Sequence, residues 1–405
     1  MNPILAISLL CGVVMSATFT WDSVKRGSKK SSTGEFTSTT TADGTIHMFW
    51  ERSTGEFQGI DHQVITPEGD FAKRPTIDFS DDFAYVDAIS AQAFDNGKDL
   101  ILVLDAGFYG LDNNIPTNDG KLKVFYIESS DRGITWTDPE LVAGTSMDGI
   151  IRHSPSIHIE QSTGRIYVLY NYKTSKENEY CFAVAVREPG KKTFEPEILL
   201  PKIPRADWSH IGQTVDKKNS KEYLHAVGRT KTGDVIYSRS SDRGKTWDNF
   251  RTLGSGRTKE AKLQVAINTR AVEAGIFIQY DDTYESILLW SNDHGDSFIR
   301  RVKVGYSDGK TDLLNICGYN GKGLLFSAHH DRPVEDSFIK VSIIPDNPGN
   351  LMNLPYPFLK EDKGYMRQLG IHCRYVAQGH YSLTYISSDP NFDLVFVAFG
   401  TFKGI

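Results

Sequence analysis

Cysteine is scarce in this 405-residue chain: there are four, Cys11, Cys181, Cys317 and Cys373. Their spacing fits neither a zinc-ligand pattern nor a disulfide framework, so the sequence predicts at most one bridge. The fold must therefore be held by its core. Asn-X-Ser/Thr acceptors are absent, and N-glycosylation is not expected. No apolar run is long enough to cross a bilayer. Basic excess is missing too: 45 Lys and Arg stand against 51 Asp and Glu, for a net charge of −6. That balance argues against a nucleic-acid partner, which needs a basic face. A small anionic ligand needs only a local cluster of cations and is not excluded. Long helical periodicity is also lacking. What remains is a globular composition, 39% hydrophobic and 24% charged.

The first residues, "MNPILAISLLCGVVMSA", have a short apolar core from Ile4 to Val14 and small residues at Ser16-Ala17. They read as a secretory signal over 1–17, with a buried first strand as the alternative. The expected localisation is extracellular. "KRGSKKSSTG" (25–34) is polar and basic, and reads as a mobile linker.

One octapeptide occurs twice. "SSDRGITW" spans 129–136 and "SSDRGKTW" spans 240–247. A variant, "SNDHGDSF", follows at 291–298, and "REPGKKTF" at 187–194 keeps the Thr-aromatic end but has lost the Asp. Ser-X-Asp-X-Gly-X-Thr-Trp suits a hairpin loop: Asp accepts backbone N–H groups across the turn, Gly takes a positive φ, and Trp packs the loop down. A second periodicity runs alongside. β-rich segments begin at Thr45, Leu100, Arg165, Tyr223, Ile276, Leu324 and Asp393, separated by 55, 65, 58, 53, 48 and 69 residues. Asp43-Gly44, Asn96-Gly97, Thr163-Gly164 and Asn320-Gly321 precede four of them. A unit near 50 residues made of short strands is the mark of a propeller blade, since one such sheet cannot bury both faces alone. The sequence predicts an all-β chain: a single β-propeller of four-stranded blades over 18–405, seven in preference to six. The N-terminal segment around "TFTWDS" (18–23) would complete the last blade.

The octapeptide is the Asp box, and its repetition resembles the sialidase superfamily and related propellers. In that family the box joins the third and fourth strands of a blade, away from the substrate, so Asp131, Asp242 and Asp293 are expected to be architectural. The resemblance runs from about residue 83 to 400. "YVDAISAQAFDNGKDLILVLDAG" (85–107) looks like the family's opening segment, "SPSIHIEQSTGRIYVLY" (154–170) like the next blade, and "HYSLTYISSDPNFDLVFVAF" (380–399) like the last.

The resemblance implies a glycosidase whose arginines grip a sugar carboxylate in bidentate fashion, with an acid Asp and a Tyr nucleophile activated by a Glu. It points to Tyr381 as nucleophile, Glu260 as its partner, and Asp112 as the acid, with Asp119 as competitor in the same loop. The departures are specific. The family's aromatic-Arg-Ile-Pro motif is replaced by Tyr85-Val86-Asp87-Ala88, and a second arginine position by Tyr280-Asp281. Arg152, Arg229, Arg332 and Arg374 stand near strand ends and are candidate substitutes, although surface pairing is an equally ordinary role for each. Trp208, in "DWSH", is placed to stack on a sugar ring or to pack in the core. A propeller funnel, where inner strands begin, would be lined by Arg152, Trp208, Glu260 and Tyr381. His329-His330-Asp331 does not suggest a metal, because neighbouring strand residues face opposite ways. No cofactor or metal is expected, and the protein should be monomeric.

Three function classes follow. The first is a secreted exo-glycosidase with a modified site. The second is a glycan-binding propeller without turnover. The third is a protein-interaction scaffold.

Overall fold

The computed structural model describes residues 18–26, residues 36–107 and 122–303 apart from breaks of one to eight residues, and the strands between 310 and 403. The described elements are all β-strands. They form seven antiparallel sheets of four or five strands, propeller-like in organisation. We number the sheets 1 to 7 by their first strands: Phe36–Thr40, Tyr85–Ala93, Ile151–Glu160, Ala206–Asp216, Ala261–Ile267, Lys310–Tyr319 and Tyr365–Val376. In sheets 1 to 6 the remaining strands follow in chain order. Sheet 7 takes Thr18–Arg26 as its outer strand, paired with Phe392–Lys403. The N-terminal segment thus completes the last sheet, as its sequence suggested. Lys25 and Arg26 of the expected linker belong to this strand, and 27–34 lie outside the described residues, as does the 1–17 signal segment.

Six of the seven β-rich segments are the second strands of their sheets, for example Leu100–Gly107, Arg165–Lys173 and Lys221–Thr230. The seventh, from Asp393, lies in the third strand of sheet 7, and the second strand there is His380–Asp389. That is why the last interval is the longest. The second strands of sheets 2 and 3 are apolar on both sides because both faces of those sheets are covered. In Leu100–Gly107, Leu100, Leu102 and Leu104 enter one core cluster with Phe49, Ile60 and Phe83 of the preceding segment. Ile101 and Val103 enter the next cluster, with Ile157, Ile159, Ile166 and Val168. Alternation along a single strand therefore glues sheet 2 to both neighbours. Arg165–Lys173 repeats the device: Ile166, Val168 and Tyr170 face back, while Tyr167 and Leu169 face Ile211 and Leu224 of sheet 4.

Each Asp-bearing turn joins a third strand to a fourth. Lys123–Ser129 leads to Glu140–Leu141, Val235–Ser240 to Arg251–Gly254, and Glu285–Ser291 to Arg300–Lys303. The internal bonding is the same three times. The first Ser donates to the Asp carboxylate at 2.8, 2.8 and 2.7 Å and accepts the Gly N–H at 2.7, 2.9 and 2.8 Å. The Asp then accepts the backbone N–H of Thr135, Thr246 or Ser297 at 2.9 Å and that residue's hydroxyl at 2.5–2.6 Å. Arg132 and Gly133 both have positive φ, 64° and 75°, as do Arg243-Gly244 and His294-Gly295. These bonds hold the Asp131 carboxyl down to about 2. Cys181 is buried.

A buried histidine pair sits behind the first turn. His47 Nδ1 and His62 Nε2 are 3.0 Å apart, and both rings are almost wholly enclosed. Burial, then the neighbouring His47, pushes His62 down from 6.5 to about 2, so the ring is neutral in the fold. His158 and His225 are lowered by burial as well.

Two outcomes follow. Asp242→Ala removes three hydrogen bonds and should cost about 1–3 kcal/mol in a urea titration without altering the far-ultraviolet spectrum; an unchanged midpoint would mean that Gly244 and Trp247 suffice to hold the turn. The second concerns acid. The unfolded His62 ring takes a proton below 6.5 while the folded ring does so only near 2. Its stabilising contribution is whole above 6.5 and is lost as pH falls toward 2. The turn aspartates, lowered from 3.8, begin to contribute to acid loss only below that value. Melting temperature should therefore already fall between about pH 7 and pH 5; equal values there would contradict the neutral buried histidines.

Candidate functional site

The first strands of the sheets are joined edge to edge by side chains. Ala91 and Ala93 N–H donate to the Thr37 and Thr39 hydroxyls at 3.3 and 2.8 Å. Ile157 N–H donates to Ser90 and Ile159 N–H to Gln92, at 3.4 and 2.8 Å. Ile211 N–H donates to Ser156 at 3.2 Å. Each seam runs in the same sense along both strands. The starts of these four strands therefore collect at one pole, and the Asp-bearing turns at the other.

The starting pole is irregular. The pairing between first and second strands slips between Val86 and Ile89, His153 and Ser156, Ala206 and Trp208, Asp312 and Leu314, and Met366 and Gln368. The residues left outside the pairing include Asp87, Ser154, Asp207 and Arg367. Bulges of this kind turn a strand end and re-aim its side chains, and they are common beside binding sites. Ser154 has φ 53°, an unusual value for a residue with a side chain. Its conformation is fixed from both sides: its N–H donates to Asp105 Oδ2 at 2.8 Å, and its carbonyl accepts the Ser209 hydroxyl at 3.3 Å. Asp105 is 1% exposed, so the carboxyl oxygen that holds this loop is shielded from water. Lys123 and Asn171 are buried at the same end of their strands. The pole of sheets 2 to 4 is thus a braced, polar rim.

Several residues chosen from sequence fall on this rim. Arg152 pairs with Tyr172 two residues before the strained Ser154, and Trp208 stands directly opposite Arg229 in sheet 4. Arg152, Trp208 and Arg229 therefore share one pole on adjacent sheets. Tyr381 is placed differently. It pairs with Gly400 one residue after His380, which lies opposite Val376. That is the finishing end of the first strand of sheet 7, beside a second register shift between His372 and Val376 and away from the one at Met366. Glu260, Asp112, Asp119 and Arg332 lie outside the described residues. Asp105, Ser154 and Asp207 were not picked out from sequence. Asp105 had a signal, a carboxylate closing the apolar run "LILVLD". The strain at Ser154 had none.

No family model matches the chain, and no curated protein matches it. Solved structures do. The intramolecular trans-sialidase of Ruminococcus gnavus is 11% identical, with a TM-score of 0.52 over 78% of this chain and 94% of that one. The NanB sialidase of Streptococcus pneumoniae, a K499G mutant, is 10% identical, with a TM-score of 0.52 over 88% and 83%. The core factor of S. cerevisiae is 8% identical, with a TM-score of 0.51 over 96% of this chain and 62% of that one. At these identities the likeness is one of fold.

The brace at Ser154 gives a direct expectation. Asp105→Ala leaves the Ser154 N–H without its buried acceptor and should cost about 1–3 kcal/mol, whereas Asp105→Asn retains a carbonyl oxygen and should cost less. Equal losses in denaturant titrations would mean that the charge, not the acceptor at Ser154, is what the rim needs.

Proposed function

We propose that the chain is a secreted, seven-bladed Asp-box propeller of the sialidase-like type that acts on glycans as an exo-glycosidase with a modified substrate site. The ring reading is supported by the first strands. Each contacts the next from sheet 1 to sheet 7, and that of sheet 7 also contacts that of sheet 1. The observation that carries the glycan reading is the bulged, braced pole of a sialidase-like fold. In this reading Tyr381 and Glu260 form the nucleophile and its partner, Asp112 is the acid, and Arg152, Arg229, Arg332 and Trp208 bind substrate. Val86 and Tyr280 stand where the family's arginines would grip a carboxylate, and Asp87 adds a negative charge. A sialoside is then a poor fit, and a neutral sugar a better one.

The strand position of Tyr381 favours a second reading, a glycan-binding propeller without turnover. It stands at the opposite end of sheet 7 from the shift at Met366, where a nucleophile would be remote from the rim.

One experiment separates these. Fluorogenic sialosides and neutral glycosides are incubated with the native protein and with Tyr381→Phe. Turnover of a neutral glycoside that exceeds sialoside turnover, and disappears in the variant, is the expected result. Turnover that survives in Tyr381→Phe moves the chemistry to carboxylates at the rim. Saturable glycan binding without turnover selects the second reading, and neither binding nor turnover contradicts both.

A further inference from the structure

The third Asp-bearing turn departs from the other two at one titratable position. Where they carry Arg132 and Arg243, it carries His294. The His294 ring is half-buried against sheet 4, stacked on Tyr223 with centroids 5.0 Å apart and planes 13° apart. Its Nδ1 is 3.0 Å from the Thr214 hydroxyl. That hydroxyl is also 2.8 Å from His225 Nε2, and His225 Nδ1 is 2.8 Å from the Tyr237 hydroxyl. These side chains form one row of hydrogen bonds. It runs from the turn of sheet 5 through the first, second and third strands of sheet 4. Thr214 is 2% exposed, and His225 and Tyr237 are wholly enclosed.

The supply of protons sets the direction of the row. The Thr214 hydroxyl has one proton and stands between two imidazole nitrogens, so it donates to one and accepts from the other. A neutral His225 has one N–H and likewise donates on one side and accepts on the other. Among the described residues the Tyr237 hydroxyl bonds to His225 alone, and a buried hydroxyl that cannot donate is costly. With both rings neutral the row therefore runs one way. Tyr237 donates to His225 Nδ1, His225 Nε2–H donates to Thr214, and Thr214 donates to His294 Nδ1. A protonated His294 carries N–H on both nitrogens and cannot accept from Thr214. Thr214 must then turn its proton to His225 Nε2, and the His225 proton must sit on Nδ1, facing the Tyr237 oxygen. The buried ring does not take up the charge itself: burial first, then Arg239, His294 and His158, hold it well below the ordinary histidine value. Charges of both signs surround His294. Asp216 ends the first strand of sheet 4, Lys221 lies over the Tyr223 ring, and Arg239 donates to His294 O at 3.0 Å. Asp293 and Asp296 belong to its own turn.

We propose that this row is a pH-driven tautomer switch: proton uptake at His294 reverses its hydrogen bonds and moves the His225 proton from Nε2 to Nδ1. The change takes up one proton, held on His294, and leaves Thr214, His225 and Tyr237 neutral. It strands the Tyr237 hydroxyl proton, so the state of the third turn is felt inside sheet 4. The switch does not depend on what the rim binds.

The test reads the ring nitrogens of ¹⁵N-histidine-labelled protein in long-range ¹H–¹⁵N spectra at about pH 8 and about pH 5.5, on either side of the usual histidine range. Through-space contacts to the Tyr237 ring, stacked 6.0 Å away, assign His225. The expected result is that the protonated and unprotonated nitrogen shifts of His225 change places between the two pH values while the ring stays neutral. Thr214→Val removes the middle hydroxyl and His294→Gln removes the titrating ring, so each should hold His225 in one tautomer throughout. Thr214→Ser keeps the hydroxyl and should switch as the native protein does. If Thr214→Val does not fold, the native spectra and His294→Gln decide. The proposal is overturned if native His225 keeps the same tautomer at both pH values or becomes an imidazolium at the lower one. It is equally overturned if the exchange survives Thr214→Val or His294→Gln.

Discussion

A sheet wedged between two others has one edge that nothing continues. The inner strand of such a sheet presents backbone N–H groups that water cannot freely reach, and leaving them unpaired is costly. This chain answers with hydroxyl and amide side chains on the neighbouring inner strand. Thr37 and Thr39 serve sheet 2, Ser90 and Gln92 serve sheet 3, and Ser156 serves sheet 4. The rest of the architecture depends on these seams. They set the inner strands in a common direction, and so separate a pole of strand starts from a pole of turns. His158 and Gln213, 3.1 Å apart, continue the seam between sheets 3 and 4.

The two poles then follow different rules. At the turn pole, loops close on themselves through an Asp and are clamped by the preceding sheet. Arg239 donates to His294 O at 3.0 Å and pairs with Asp296 at 2.6 Å, and Arg251 donates to Asp296 O at 2.7 Å. At the starting pole five first strands carry register shifts near their beginnings and Ser154 has a positive φ; positive φ also occurs in the turns, at Arg132, Arg243 and His294, so the clustered bulges are what set this pole apart. The asymmetry is the physical basis for placing function at the starts.

The turns and the second strands were legible in the sequence. The octapeptide carries its own hydrogen-bond logic, and the second strands of sheets 2 and 3 are apolar on both faces because both are buried. The first strands were less visible. "FTSTT" and "AISAQA" lack an apolar run, since their alternate residues serve seams instead of cores. For the candidate site, only strand positions can be compared with the sequence reading. Trp208 and Arg229 emerge together because the strand register places them opposite one another, but sequence position alone could not show that Tyr381 stands at the far end of its sheet. That depends on which strand of the blade carries it: a residue near the start of a second strand lies at the turn pole, one near the start of a first strand at the rim. Ser154 was invisible because nothing in "RHSPSI" announces a positive φ.

The claim that the pole of strand starts is the glycan-binding end is best tested by glycan-array retention of the native protein beside Arg229→Ala and Asp131→Ala, each confirmed as folded by thermal melting. The account predicts that retention of rim-bound glycans is lost in Arg229→Ala and kept in Asp131→Ala. Retention that survives the first and fails in the second would place recognition at the turns and contradict it.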